Sequence, residues 1–268
     1  MLSYRHGYHA GNLADVLKHT ALCAVLSAAT SKDTPLFYLE THAGAGRYRL
    51  EPGGEHEAGI GKLKTVHDGK APRAVATFLA SVAAERERYP GSPAIAARLL
   101  RPDDRLLLAE LHPADFAQLR KELAKDPRAT VVREDGYGLL RSQLPPRERR
   151  GIVLIDPNYE RADEGARLIG ALSDAFLRFR HGTYLVWLPL AGKIDASGLE
   201  RDFVKLAPPK TFAISLMPTG PSRSGGLGST VWVINPPFQA VAPIETAARY
   251  LAERLQGDVH AVWLVPEA

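Results

Sequence analysis

From Arg105 to Val265 the chain alternates short runs of aliphatic and β-branched residues with stretches of helical periodicity. Apolar runs bounded by turn residues read as strands buried on both faces, and the 3.6-residue pattern between them reads as the helices that cover those faces. This alternation restricts the chain to an α/β fold with a doubly wound, mostly parallel sheet. Strands are expected at Arg105–Leu111, Ala129–Arg133, Ile152–Ile155, Thr183–Leu188, Thr211–Met217, Ser229–Ile234 and Ala261–Val265. Helices are expected at Pro113–Lys125, Leu139–Leu144, Glu164–Arg180, Leu199–Leu206 and Ile244–Leu255. An earlier strand, Leu36–Thr41, follows a helix that runs to about Ala29; Asn12 is its N-cap and Asp15, three residues on, makes a partial capping box. Between Glu51 and Arg88 the pattern breaks into a Gly-rich and then charged helical stretch. Residues 1–50 and 89–268 are therefore read as one domain, and 51–88 as a helical insertion. Tyr89-Pro90-Gly91-Ser92-Pro93 reads as a tight turn, with Ser92 capping a helix through Leu100.

A length of 268 residues, 45% of them hydrophobic, suits one such domain with an insertion. The single cysteine, Cys23, excludes a disulfide framework and a cysteine-based zinc site, and no metal is expected. Cys23 lies in an apolar helical run and reads as a buried thiol in a reducing compartment. The opening residues lack the apolar core of a signal peptide, and the longest apolar run, Ala21–Ala29, is too short to span a bilayer. These features point to a cytoplasmic chain, expected to act as a monomer without membrane contact. A net charge of +4 permits nucleic-acid binding without requiring it.

Chemistry concentrates where strands end. The first strand runs into His42-Ala43-Gly44-Ala45-Gly46, a Gly-x-Gly loop of the kind that lets backbone approach a nucleotide; Arg49 stands where a dinucleotide fingerprint would carry its third glycine, against a pyrophosphate ligand. The next strand ends in Glu110, which suits the two hydroxyls of a ribose, and the next leads to Asp135-Gly136, which suits an adenine ring. The Ile152–Ile155 strand ends in Asp156-Pro157-Asn158-Tyr159. The Asp156 carboxylate and the Pro157 carbonyl can each accept one N–H of an exocyclic amine, and Tyr159 can stack on the ring that bears it. Two acceptors favour the pyramidal amine and release its conjugated lone pair for attack. In a doubly wound sheet these tips share one edge. Together they fit S-adenosylmethionine, an adenosine cofactor without a diphosphate, whose methyl is the electrophile such an amine would attack. The plain reading of Asp156-Pro157 remains an ordinary turn, and that of His19 a satisfied interfacial histidine.

The segments Tyr4-Arg5-His6, His9-Ala10-Gly11-Asn12, Asp15-Val16-Leu17-Lys18-His19, Thr41 through Tyr48, Tyr89-Pro90-Gly91-Ser92-Pro93, Glu110-Leu111-His112-Pro113 and the Asp156 motif together resemble the RlmJ family of bacterial 23S ribosomal RNA adenine-N6 methyltransferases, over nearly the whole chain. The resemblance implies a Rossmann-like class I methyltransferase fold. It implies S-adenosylmethionine bound by Lys18, His19, His42, Ser92, Glu110, Asp135 and Gly136, beside the Gly44 loop. Asp156, with Pro157 and Tyr159, would be catalytic, and Tyr4, with Arg5 and His6, would touch 23S ribosomal RNA, either protein-free or early in assembly. The family motif is Asp-Pro-Pro-Tyr, whereas here Asn158 replaces the second proline. A proline there would hold Pro157 extended, so its loss implies weaker preorganisation, and Asn158→Pro is expected to raise turnover.

Asn235-Pro236-Pro237-Phe238 also follows a strand and matches an amino-methyltransferase motif. It comes two βα elements later, and its strand is expected toward the far edge of the sheet, away from the Gly loop. Arg147, Arg149, Arg150 and the Arg178–His181 stretch are candidate phosphate contacts, and Ser222–Gly228 reads as a mobile loop. A methyltransferase acting on a protein glutamine amide and a non-catalytic RNA-binding protein are the competing readings.

Overall fold

The structure is a computed structural model that describes residues 6–66, 69–85, 88–190, 195–219 and 228–266. In chain order its elements are α1 (His6–His9), α2 (Leu13–Ala29), β1 (Phe37–Glu40), β2 (Arg47–Tyr48), a 3-10 turn (Glu55–Glu57), α3 (Ile60–Val66), α4 (Arg73–Ala83), β3 (Tyr89–Pro90) and α5 (Ser92–Leu99). Then come β4 (Arg105–Ala109), α6 (Pro113–Glu122), β5 (Ala129–Val132), α7 (Gly136–Gln143), β6 (Gly151–Ile155), α8 (Glu164–Phe179) and β7 (Thr183–Pro189). The chain closes with α9 (Ala196–Lys205), β8 (Thr211–Pro218), β9 (Ser229–Ile234), α10 (Val241–Leu255) and β10 (Gly257–Val265).

Eight strands form one sheet in the order β10-β8-β9-β7-β6-β1-β4-β5. The five strands β5, β4, β1, β6 and β7 are mutually parallel. After β1 the chain builds outward through β4 and β5, then returns to lay β6 on the other side of β1. That reversal makes β1/β6 the switch point of the sheet, where an open α/β sheet leaves its crevice. The remaining strands are antiparallel additions: β9 pairs with β7 and β8, and β10 with β8.

Two apolar clusters sandwich the sheet. One gathers α2, α4, α5 and α10 around Val16, Leu22, Phe78 and Leu251; the other gathers α7, α8 and α9 around Leu140, Leu172 and Phe203. Helices α3 and α4 fill the span read as an insertion, and their Ile60, Leu63, Val75, Phe78 and Val82 belong to the first cluster. Burial of such side chains contributes roughly 1.5–3 kcal/mol each, so these helices are anchored to the core, α4 on α2 and α3 on α10. Cys23 is buried there too, and burial pushes its thiol up.

Three local departures from the sequence reading have physical causes. Tyr89-Pro90 pairs with Arg47-Tyr48 as a two-residue ribbon, not a free turn. Ser92 is the first helical residue rather than the cap, because Gly91 takes the extended N-cap conformation and the Ser92 hydroxyl turns inward to Glu40. Strand β10 begins at Gly257, well before Ala261, because Gln256 ends α10 in a left-handed conformation and sends the chain directly back along β8. Of the stretch 222–228, all but Gly228 lies outside the described residues.

Candidate active site at the carboxyl edge of the sheet

The carboxyl ends of β1, β4, β5 and β6 share one edge, and they bring the Gly44 loop, Glu110, Asp135 and Asp156 to it. Helix α2 starts at the same edge. Its Asn12 cap accepts the Asp15 N–H at 2.9 Å, while the Asp15 carboxylate reaches back to the Gly11 N–H at 2.8 Å. One turn later the Lys18 ammonium lies 2.8 Å from Asp15 Oδ1 and 2.5 Å from Asp156 Oδ2. Lys18 is only 7% exposed. Burial alone would lower its pKa, but Asp15 and Asp156 outweigh that and raise it above the ordinary lysine range, so the ammonium stays charged. Burial likewise works to raise Asp15, and the Lys18 charge, with hydrogen bonds from Lys18 and the Gly11 N–H, overcomes it, holding the carboxyl near 2. His19 is buried, bonded through Nδ1 to the Tyr89 hydroxyl at 2.7 Å, and burial keeps it neutral with a pKa near 3. The interfacial reading of His19 thus describes its packing, although it sits next to Lys18.

Beneath this triad lies an acid that sequence reasoning passed over. Glu40, the last residue of β1, is 0% exposed. It accepts the Tyr38 hydroxyl at 2.9 Å and the Ser92 hydroxyl. Burial pushes its carboxyl up to about 8; those two hydrogen bonds pull the other way, and the Asp156 charge adds to the rise. Its signal in the sequence was a lone acid closing an apolar strand, which exposed strand ends share.

At the Gly loop, Gly44 has φ 60°, and a Cβ there would fall 2.1 Å from the Tyr48 hydroxyl. The loop therefore presents backbone at a point where a side chain cannot fit. The Gly44 N–H donates to Glu110 Oε2 and the His112 N–H to Glu110 Oε1, both at 2.7 Å. Each carboxylate oxygen keeps a further lone pair, so Glu110 is held as a rigid fork that fits the diol of a ribose. Asp135 caps α7, accepting the Tyr137 N–H, and meets the Arg167 guanidinium at 3.2 Å. Gly136 is there for packing: a Cβ would lie 2.0 Å from the Thr41 carbonyl oxygen, so only glycine lets α7 close on the loop after β1. His42 sits edge-on to Tyr137, its Nδ1 2.8 Å from the Thr41 hydroxyl, and burial lowers its pKa to about 4.

On the opposite flank, Tyr159 has φ 52°, uncommon for a bulky residue. Its hydroxyl donates to the Trp187 carbonyl at 2.7 Å and the side chain is 7% exposed, contacts that sustain the strained backbone. Asn158 Oδ1 accepts the Glu160 N–H at 3.2 Å, an Asx turn that stiffens the motif where the second proline is missing. Trp187, one strand over and level with Asp156, was also missed; its ring lies 5.8 Å from both the Lys18 ammonium and the Tyr159 ring. A lone tryptophan in an apolar strand gives no sign in sequence that it faces polar neighbours. Tyr4 and Arg5 lie outside the described residues, and His6 opens α1, which is followed by the Gly11–Asp15 contact.

The second amino-methyltransferase motif falls elsewhere, for a different reason from the one anticipated. Strand β9 is not at the far edge but lies between β7 and β8. It runs antiparallel to β7, with Ile234 opposite Tyr184, so Asn235 emerges at the amino end of the parallel strands. Its amide donates to the His181 carbonyl at 2.8 Å, a structural tie, and Phe238 is 84% exposed. The arginines read as phosphate contacts share that wrong edge, since 147–150 precede β6 and 178–181 precede β7. Arg150 is bound to the carbonyls of Ala29 and Thr34. Among the described residues no cluster of His, Cys, Asp and Glu could hold a metal ion, and no helix is long and apolar enough to cross a membrane.

Residues 33–265 match the family described as Ribosomal RNA large subunit methyltransferase D, RlmJ. The chain is 38% identical over 282 residues to the Escherichia coli (strain K12) protein named Ribosomal RNA large subunit methyltransferase J, covering all of both chains. It is 38% identical over 283 residues to the Haemophilus influenzae protein of the same name, again over the full length of both. A crystal structure of a Legionella pneumophila protein, 33% identical, superposes with a TM-score of 0.89 over 95% of this chain and 98% of that one.

Proposed function

The chain belongs to the RlmJ family of ribosomal RNA large-subunit methyltransferases, and from that premise we propose that it transfers a methyl group from S-adenosylmethionine to the exocyclic N6 amine of one adenine in 23S ribosomal RNA. The observation that carries the reading is Asp156 at the tip of β6, at the switch point, locked to Lys18 and followed by Pro157 and the buried Tyr159.

S-adenosylmethionine supplies a methyl group on a positive sulfonium. Glu110 would hold the ribose, Asp135 and the Gly136 backbone the adenine, and the Gly44 loop would lie against the chain between them. His42, Ser92 and His19 would form walls; the last two are already engaged with Glu40 and Tyr89. Asp15, Lys18 and Asp156 together carry one net negative charge, which favours a positive methyl donor and the positive charge that develops on the attacked nitrogen.

The target adenine leaves its stack at a cost of a few kcal/mol. Its two amine N–H groups donate to the Asp156 carboxylate and the Pro157 carbonyl, and its ring rests beside Tyr159 and Trp187. The neutral amine is too weak an acid to be deprotonated first, so the proton passes to water only after, or as, positive charge develops on the nitrogen. Lys18 fixes Asp156 Oδ2, which orients the carboxylate before substrate arrives. The rRNA is taken protein-free or early in assembly by a monomer in the cytoplasm. A protein glutamine acceptor, or RNA binding without catalysis, is not favoured by the relatives.

The test is tritiated methyl transfer to 23S ribosomal RNA lacking the modification, with nucleoside analysis of the product. Label in N6-methyladenosine is expected; label in another nucleoside or in protein, or no transfer, overturns the reading.

A further inference from the structure

With 147–150 and 178–181 at the amino ends of the parallel strands, the RNA backbone needs another holding point on the side where Asp156 lies. We propose that the groove lined by Arg47, Arg49, Arg88 and Gln118 is that point and binds a phosphodiester segment of the RNA substrate. The inference rests on the reading of this protein as an RNA methyltransferase.

The groove is a concavity of about 440 Å³. Arg47 opens the two-residue strand β2 and Arg49 follows it directly, with Tyr48 between them, and both line the groove. The ribbon is pinned at three places. The Gly91 N–H donates to the Gly46 carbonyl at 2.9 Å, the Gln118 amide donates to the Arg47 carbonyl at 2.9 Å, and the Tyr48 hydroxyl accepts the Ala45 N–H at 3.1 Å. The groove is thereby tied to the same loop that approaches Glu110.

Two of the guanidiniums are oriented in advance. Arg47 Nε donates to Glu85 at 2.9 Å and its Nη1 to Glu122 at 3.3 Å, while Arg88 Nη1 meets the other oxygen of Glu122. These bonds engage only part of each fork of five N–H donors. Arg49 is exposed, and among the described residues it has no ion-pair partner. Three guanidiniums against two carboxylates leave an excess positive charge, concentrated on an arginine that can swing onto a ligand. Planar donors fixed in a concave wall suit the tetrahedral oxygens of a phosphate. Other arginines of this half of the molecule serve the fold: Arg101 closes on Asp104, and Arg128 on Asp126 and the Ala97 carbonyl.

The experiment compares full-length wild type with Arg49→Ala, Arg49→Glu and Arg49→Ala/Arg88→Ala. Calorimetry with S-adenosylmethionine reports folding and cofactor binding, and is expected to be unchanged. RNA affinity is measured as a function of salt. Each lost phosphate contact should reduce the slope of log K against log salt by about 0.7–0.9. KM for rRNA should rise about tenfold in the double variant with kcat nearly kept, as for loss of binding that acts equally on ground and transition states. Arg49→Glu, which alters only an exposed side chain, should show the same pattern if the double variant fails to fold. Unchanged salt slope and KM in Arg49→Glu, with wild type active, would overturn the groove assignment. Inactivity of wild type on any rRNA would instead sink the functional reading. Saturable binding of inorganic phosphate at the groove, with RNA affinity equal in wild type and variants, would assign it to a free anion and also overturn the proposal.

Discussion

Lys18 holds its charge at 7% exposure because two carboxylates flank it, and removing it leaves Asp15 and Asp156 facing each other without a cation. Breaking a buried pair in this way costs about 3–5 kcal/mol. Lys18→Ala should therefore lower the melting temperature and, because Asp156 loses its orientation, reduce single-turnover methyl transfer by roughly 10²–10³. Lys18→Arg should recover stability more than rate. Glu40 sets a different signature. Its folded pKa, near 8, lies above the ordinary value of 4.5, so between those limits the native state keeps a proton that the unfolded chain releases. Stability from this group is full below about pH 4.5 and is lost as pH rises through 8. Urea unfolding of Glu40→Gln should show a flatter decline from pH 5 to 9 than wild type; parallel curves would refute the buried acid. At Asn158 the Asx turn already supplies part of the stiffness a second proline would give. The gain from Asn158→Pro in single-turnover rate should therefore stay within about twofold.

At the level of elements, α7 and the loop after β1 approach so closely that their contact is backbone on backbone. Gly136→Ala would place a methyl 2.0 Å from the Thr41 carbonyl and must push α7 outward. Overpacking of this kind costs about 1–3 kcal/mol. The displaced helix carries Asp135, so thermal unfolding should show the loss and calorimetry a weaker cofactor affinity together. The parallel half of the sheet was readable because buried strands such as Ile152–Ile155 are written as unbroken apolar runs between amphipathic helices. The polar tips Glu110 and Asp156 were readable because each directly follows such a run, and Asp135 because it caps the helix after the next strand. Strand direction was not, because β9 is as apolar as β7 while running the opposite way. Nor was the β2–β3 ribbon, whose two pairs of residues are too short for any period. Glu40 and Trp187 stayed hidden because their roles depend on neighbours remote in sequence, Ser92 for one and Lys18 for the other.

Across the whole molecule, strand direction decides which of two similar motifs reaches the edge that carries the Gly loop. Asp156 and Asn235 each follow a buried strand and precede a proline, and only two sheet positions separate β6 from β9. Yet β6 runs parallel to β1 and β9 runs against β7, so one tip faces the Gly loop and the other faces the opposite edge. A strand of six residues is roughly 20 Å long, far beyond the reach of a methyl group. Asp156→Ala should therefore remove nearly all transfer while leaving cofactor affinity measurable. Asn235→Ala loses the bond to the His181 carbonyl, a stability cost of about 1 kcal/mol. Its kcat and KM for rRNA should stay within about twofold of wild type. Methyl transfer assayed on both variants, normalised to folded protein by circular dichroism, separates the two. A large loss of rate in Asn235→Ala with its fold intact would mean that the second motif, and not the tip of β6, receives the amine.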